Sequence, residues 1–299
     1  MQEVARGLRF PEGPIALDDG SVVLVEIERG TLSRVTPDGR VEVIAYLGGG
    51  PNGAALGPDG AVYVCNNGGF TWAERDGRLY PAGTPEDYAG GRIERVELDT
   101  GKVDVVYREC DGYPLNGPND IVFDAEGGMW FTDLGKTYDT YRDLGVIYYA
   151  KADGSHISRQ ILHRETPNGI GLSPDGNTLY FAETMTGRLW AYALEAPGKV
   201  AGDPAAGRLV AGLPGYQLFD SLAVDAEGNV CVATIVSGGI TSISPDGSEI
   251  EHFPMDDALT TNICFGGQDL RTAYITLSST GRLVAVSWPR PGLALNFRR

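Results

Sequence analysis

With 299 residues, 42% of them apolar, the chain can bury a large core, and its formal charge of −16, from 24 basic against 40 acidic residues, excludes a nucleic-acid binder that would need a Lys/Arg footprint for phosphates. The excess of acid also repels anionic membrane surfaces, and no apolar run approaches the ~18 residues of a membrane span. Forty-two glycines and eighteen prolines suit many short strands and turns better than helices. The stretch from Met1 to Phe10 has no apolar signal core. Cys65, Cys110, Cys231 and Cys264 show no CxxC pairing, and three of them lie in strand-like runs as small hydrophobes. A reducing, cytoplasmic compartment is the expectation.

One pattern recurs along the chain: a small polar or acidic leader, a short apolar run, a turn rich in Asp and Gly, and a second run. It reads EGPIALDDGSVVLVEI from Glu12 and NGAALGPDGAVYVCNN from Asn52. It continues as NDIVFDAEGGMWFTD from Asn119 and NGIGLSPDGNTLYFAET from Asn168. The last copies are DSLAVDAEGNVCVAT from Asp220 and NICFGGQDLRTAYIT from Asn262. Each copy reads as strand, tight turn and strand, because Asp and Gly tolerate positive φ. A third strand follows, opened by Gly30, Gly91, Gly145, Gly187, Gly239 and Gly281, and most copies add a fourth, such as VEVIAY after Arg40.

The leaders are spaced by 40, 67, 49, 52 and 42 residues, with insertions of roughly 20 and 7 residues in the second and third copies. Six four-stranded units of this length predict an all-β, six-bladed β-propeller covering residues 1–299 as one domain. The last unit runs short, so the N-terminal VARGL segment is expected to supply its fourth strand and close the ring. The match of Gly48–Gly53 to GxGxxG is set aside, because a β pattern follows where a dinucleotide fingerprint needs a helix.

In a propeller the first strand of each blade lines the central channel. The leaders Glu12, Asn52, Asn119, Asn168, Asp220 and Asn262 are therefore expected to meet in one ring, every one with a side-chain oxygen. Asn and Asp often start strands by bonding their own backbone, which accounts for one or two such positions and leaves six of six, and Glu12, unexplained. Two carboxylates among amide oxygens suit one hard divalent cation, Ca²⁺ first, then Mg²⁺ or Mn²⁺; Zn²⁺ ordinarily recruits His or Cys.

The segments FPEGP, GPNDIVFD, TPNGIGLSPDG and DSLAVDAEGNVCVAT resemble the signature segments of the SMP-30/gluconolactonase/LRE family of six-bladed propellers, and the resemblance spans essentially the whole chain. It implies a metal-dependent lactonase, with the metal held by Glu12, Asn168 and Asp220, and with Asn119 helping to bind metal or substrate. It also implies that an all-oxygen site of this kind accepts Zn²⁺, and that Ser221 could add a hydroxyl near the metal. Sugar-acid members from animals carry an arginine where this chain has Gly117, a departure that points away from a polyhydroxy sugar lactone.

A metal on the axis suits hydrolysis of a small lactone without a nucleophile triad, and no GxSxG, HExxH or Walker sequence is present. Asp220 is expected to serve as ligand and general base, a dual role that rests partly on the resemblance, with Asp133 or Glu183 at the rim as the alternative base. Asn119 and Asn52 are candidates for orienting substrate; Asn262 is either a third or a simple strand-start hydrogen bond. The two insertions fall on the leader face. Their Trp72, Tyr138 and Tyr141, beside Tyr80 and Tyr88, are expected to form a substrate wall or to pack the loops onto the rim. That wall, together with Gly117, favours a less polar lactone. The competing readings are a related esterase or phosphotriesterase and a non-enzymatic binding propeller.

Overall fold

Second strands such as Val22–Glu26 and Val62–Asn66 are buried at every position. That is why they read as apolar runs with no polar alternation: each sheet is covered on both faces. The computed structural model describes residues 1–299, contains no helix, and arranges its strands in six antiparallel sheets of four principal strands. The innermost strands, in blade order, are Pro11–Ala16, Pro51–Leu56, Pro118–Phe123, Pro167–Leu172, Leu218–Val224 and Thr260–Gly266. Consecutive innermost strands are neighbours, and the last abuts the first, so the ring closes as a six-bladed propeller.

The core is divided into one apolar cluster per junction between blades. Val62 and Val64 face the first blade while Tyr63 and Cys65, on the same strand, face the third. Trp130, Phe181 and Tyr192 fill the junction of blades three and four. The smallest of these six, with six buried members including Ala5, Leu8, Leu24 and Leu283, lies at the seam where the chain ends meet. There Gln2–Arg6 pairs antiparallel with Arg282–Ser287, as expected from the N-terminal segment. The six glycines that open third strands lie at or immediately before strand starts, as at Thr31, Arg92 and Gly145.

The PRPGLALNFRR tail, unassigned from sequence, straps the opposite mouth of the channel. Asn296 Nδ2 donates to Phe123 O at 2.9 Å, Phe297 packs edge-on against Phe123, and Arg298 pairs with Asp18 at 2.8 Å. The tail floors a cavity of about 500 Å³ lined by Ile15, Ile121, Ile170, Leu222 and Ile263.

The seam generates a prediction. Deleting residues 1–6 leaves Arg282–Ser287 as an unpaired edge, so the protein should melt lower and self-associate. Calorimetry and light scattering check this; an unchanged melting temperature and a monodisperse protein would show that the seam holds without its N-terminal strand.

Candidate functional site on the propeller axis

Every innermost strand begins with a break in its pairing. The register against the second strand slips by one residue after Glu12, Pro51, Pro118, Pro167, Phe219 and Thr260. A bulge re-aims the side chain that it carries, and six bulges at one repeat position bring the six leaders to one end of the channel. Proline precedes the leader in four blades, at Pro11, Pro51, Pro118 and Pro167; the innermost strand is a sheet edge, where a missing N–H is tolerated. Glycine follows it in three blades. A Cβ on Gly13, Gly53 or Gly169 would come within 2.7, 2.4 and 2.6 Å of the next blade's backbone, so these strands meet main chain to main chain.

Neighbouring leaders are in contact. Asn262 Nδ2 donates to Glu12 Oε2 at 2.7 Å, and the Gly13 N–H donates to the same oxygen at 3.0 Å. The Asn262 Oδ1 accepts the Ile263 N–H at 2.7 Å. Its amide is thus occupied on both sides: it starts its own strand and braces Glu12. Asn168 Nδ2 donates to Thr184 Oγ1 at 3.0 Å, while Ser221 Oγ lies 3.4 Å from Asn168 Oδ1. That oxygen therefore faces the fifth blade, where Asp220 stands. Asn52 and Asn119 are buried, and Asn119 Oδ1 has no hydrogen-bond partner at all. Asp220 is the one leader that is only half-buried.

Sequence reasoning missed Asp120. This buried carboxylate accepts the Ile121 N–H at 2.9 Å and lies 3.4 Å from the Ile170 N of the next blade. The signal was present: an acid stands where three other copies carry glycine after the leader. Burial raises the pKa of Glu12, Asp120 and Asp220 above the ordinary carboxylate range, Asp120 to about 7. Charge repulsion from Glu12 adds to the shift of both aspartates, and Asp120 adds to that of Asp220. None of the three forms a salt bridge, and no lysine, arginine or histidine is among the main causes of their shifts. Buried acids without a protein cation, beside a buried amide oxygen without a donor, form a donor set that fits a hard cation. No group of three His, Cys, Asp or Glu side chains by itself makes a metal site, so the amide oxygens of the ring are needed to complete one.

The rim carboxylates are fully engaged elsewhere. Asp133 accepts the backbone N–H groups of Asn116, Gly117 and Gly135 at 2.8, 2.6 and 2.9 Å. Glu183 accepts from Arg164, the Glu165 N–H, Thr186 and Trp190. Both organise loops through these bonds. His156, His163 and His252 are exposed, at the outer strands or the turn between them.

The first insertion, read from sequence as a loop, contains a hairpin, Thr71–Arg75 with Arg78–Gly83. Asp76 and Gly77 have φ of 52° and 71°, the two-residue turn that an Asp-Gly pair favours. The hairpin crosses the first blade toward the sixth. Trp72 packs against Phe10, two residues before Glu12, with centroids 5.1 Å apart, and the Leu79 N–H donates to Ser279 O. Tyr138 and Tyr141 stack on each other at 4.5 Å, with Tyr141 exposed. At Gly117 a Cβ would lie 2.5 Å from the Gly135 carbonyl oxygen, so no arginine fits there without moving backbone.

Known proteins share this fold and sequence pattern. The lactonase drp35 of Staphylococcus aureus is 27% identical over 233 residues, which cover 77% of this chain and 65% of the relative, so the chain spans just under two thirds of that protein. The gluconolactonase of Zymomonas mobilis is 26% identical over 314 aligned residues, covering 93% of this chain and 79% of the relative. Among solved structures, a gluconolactonase from Xanthomonas campestris superposes with a TM-score of 0.76 at 23% identity, covering 96% of this chain and 89% of that one. Regucalcin, a calcium-binding protein from Agrobacterium tumefaciens, gives 0.71 at 21% identity, with 96% and 95% covered; at such identities the likeness is one of fold. Residues 10–279 match the family described as SMP-30/Gluconolactonase/LRE-like region, and the chain belongs to that family.

Proposed function

We propose that this protein hydrolyses a small lactone to its hydroxy acid, using one divalent cation, calcium first, held on the propeller axis by Glu12, Asn168 and Asp220. The observation that carries the reading is the ring itself: buried acids with no protein counter-charge, together with the unpartnered Asn119 Oδ1. The family, and relatives named for lactone and gluconolactone hydrolysis, support the reaction class.

When bound, such a cation supplies an electrophile for the ester carbonyl and lowers the pKa of water. The chain's own residues supply the rest. Asn262 and the Gly13 N–H hold Glu12 in place. Asp220 is the half-buried carboxylate of the ring, and burial with like-charge repulsion raises its basicity, which suits it to take a proton from water. Asn119 directs a free carbonyl oxygen to a substrate hydroxyl or to the metal, and Asn52 lies beside it on the next blade. Trp72, with Phe10 and Phe70, walls the site on the side of the first blade. The closed backbone at Gly117 and this aromatic wall favour a less polar lactone over a sugar acid.

Removing charge while keeping shape tests the metal site: Glu12→Gln should weaken calcium binding in titration calorimetry, and equal affinities would remove Glu12 from the site. Proton competition gives a second test. The raised carboxyls favour their protonated forms, so these groups stabilise the metal-free fold toward acid, an effect lost as pH rises through the raised values. Calcium affinity should accordingly climb from about pH 5 to about pH 8; a flat profile would mean that the cation does not displace these protons.

A panel of aliphatic, aromatic and sugar lactones, assayed with and without chelator, tests the reaction. At saturating metal, Asp220→Asn should lower kcat by roughly 10² to 10⁴ with KM little changed, the loss expected when positioned proton transfer is removed. Asn119→Ala should instead raise KM. An Asp220→Asn protein that turns over at the wild-type rate would rule out Asp220 as the base.

A further inference from the structure

Lys136 is 2% exposed, yet it forms no salt bridge within 4 Å, an uncommon state for a lysine. It stands in the second insertion, between the second and third strands of blade three. Its Nζ donates to the backbone carbonyls of Asn67 at 3.1 Å and Gly69 at 2.6 Å. It also sits over two aromatic rings, 4.6 Å from the Phe70 centroid and 5.0 Å from that of Tyr88. These four partners belong to the blade-two insertion, three at its entry and Tyr88 near its exit. One ammonium therefore gathers both ends of that segment.

Other contacts fix the same junction. Tyr88 Oη donates to Asn116 O at 2.5 Å, and Thr84 Oγ1 donates to Thr137 O at 2.8 Å. Gly69, whose carbonyl accepts from Lys136, lies against Gly50, where a Cβ would meet the Gly69 Cα at 2.7 Å, and Gly50 leads into Pro51 and Asn52. The tether is thus one backbone layer from the ring. The far end of the insertion rests on Phe10 and Ser279, in blades one and six. The segment reaches from blade six to blade three and is pinned at the blade-three end by Lys136. The charged groups facing the ammonium are Asp133 and Asp143. Burial outweighs them and draws its pKa down to about 8. Asp133 is occupied by three backbone amides, and Asp143 Oδ2 by the Lys136 N–H. The carbonyls and rings are therefore its direct partners.

We propose that Lys136 is a positioning residue for substrate: it ties the blade-two insertion to blade three so that Phe70, Trp72 and Tyr88 stand as a fixed aromatic wall beside the ring. The assignment of substrate rests on the lactonase reading above; the tether itself does not. Lys136 stands in a loop between strands and its partners stand in another loop, so its loss should act on the insertion rather than on the strands of the blades. Its amine donates hydrogen bonds and makes cation–π contacts that a methionine of similar length cannot, whereas an arginine keeps both.

The test uses full-length Lys136→Met and Lys136→Arg proteins loaded with calcium. Hydrogen exchange at residues 67–91 should accelerate in Lys136→Met and return toward wild type in Lys136→Arg, with the melting temperature and calcium affinity unchanged in both. For an aryl-substituted lactone, KM should rise about tenfold in Lys136→Met with kcat within about twofold, and a small aliphatic lactone should be little affected. Unchanged exchange at 67–91 would overturn the tether. Equal losses for both lactones, or a fall in kcat without a rise in KM, would overturn the positioning role. Wild-type protein inert on every lactone would sink the functional reading separately, because exchange is measured without substrate.

Discussion

Six sheets can share one axis only if their innermost strands pack almost main chain against main chain. The narrow end of each blade has no room for bulk, and the residues after the leaders show it: at Gly13, Gly53 and Gly169 the next blade's backbone occupies the space of a Cβ. A bulge in each innermost strand then turns the leading side chain out of the sheet. Ring closure and the presentation of the leaders are therefore one event. The strand that pairs at the seam, Gln2–Arg6, forms the outer edge of the sixth blade, away from the axis.

That arrangement is electrostatically costly. Glu12, Asp120 and Asp220 are gathered where solvent is scarce, they repel one another, and no basic side chain answers them. A purely structural ring would hold amides and hydroxyls at these positions. Local conflict of this kind marks functional sites, since the rest of the fold must over-determine the strained arrangement. Here the six clusters between blades do so, together with the tail from Trp288 onward that straps the far mouth of the channel. The carboxylates away from the axis behave in the opposite way: Glu26, Asp133, Glu183 and Asp257 are buried too, but each is saturated with donors and organises a loop.

The loops on the leader face differ from the blades in how they are held. Blades are fixed by apolar burial on both faces, which tolerates no rearrangement. The blade-two insertion is fixed by a short aromatic cluster around Phe10, by a few hydrogen bonds to blades three and six, and by one buried ammonium. Such a segment can vary in sequence without disturbing the axis.

The repeat determined by itself the number of blades, their strand order, the turns and the identity of the six leaders. Each of these depends on patterns local in sequence: apolar runs of strand length, Asp-Gly turns and glycines before third strands. The sequence also showed that the N-terminal segment was needed to complete the sixth blade. Only the tertiary structure separated the leaders into kinds. Asn262 is occupied on both sides of its amide, Asn119 keeps a free oxygen, and Asp220 is only half-buried. It likewise placed Asp120 beside the ring, showed that Asp133 and Glu183 bond their own loops, and set Lys136 against carbonyls almost seventy residues away. These facts concern which donor meets which acceptor across blade boundaries. Spacing along the chain places a residue on a strand, but the partner of a polar atom is decided by the neighbouring blade, and that neighbour exists only once the ring has closed.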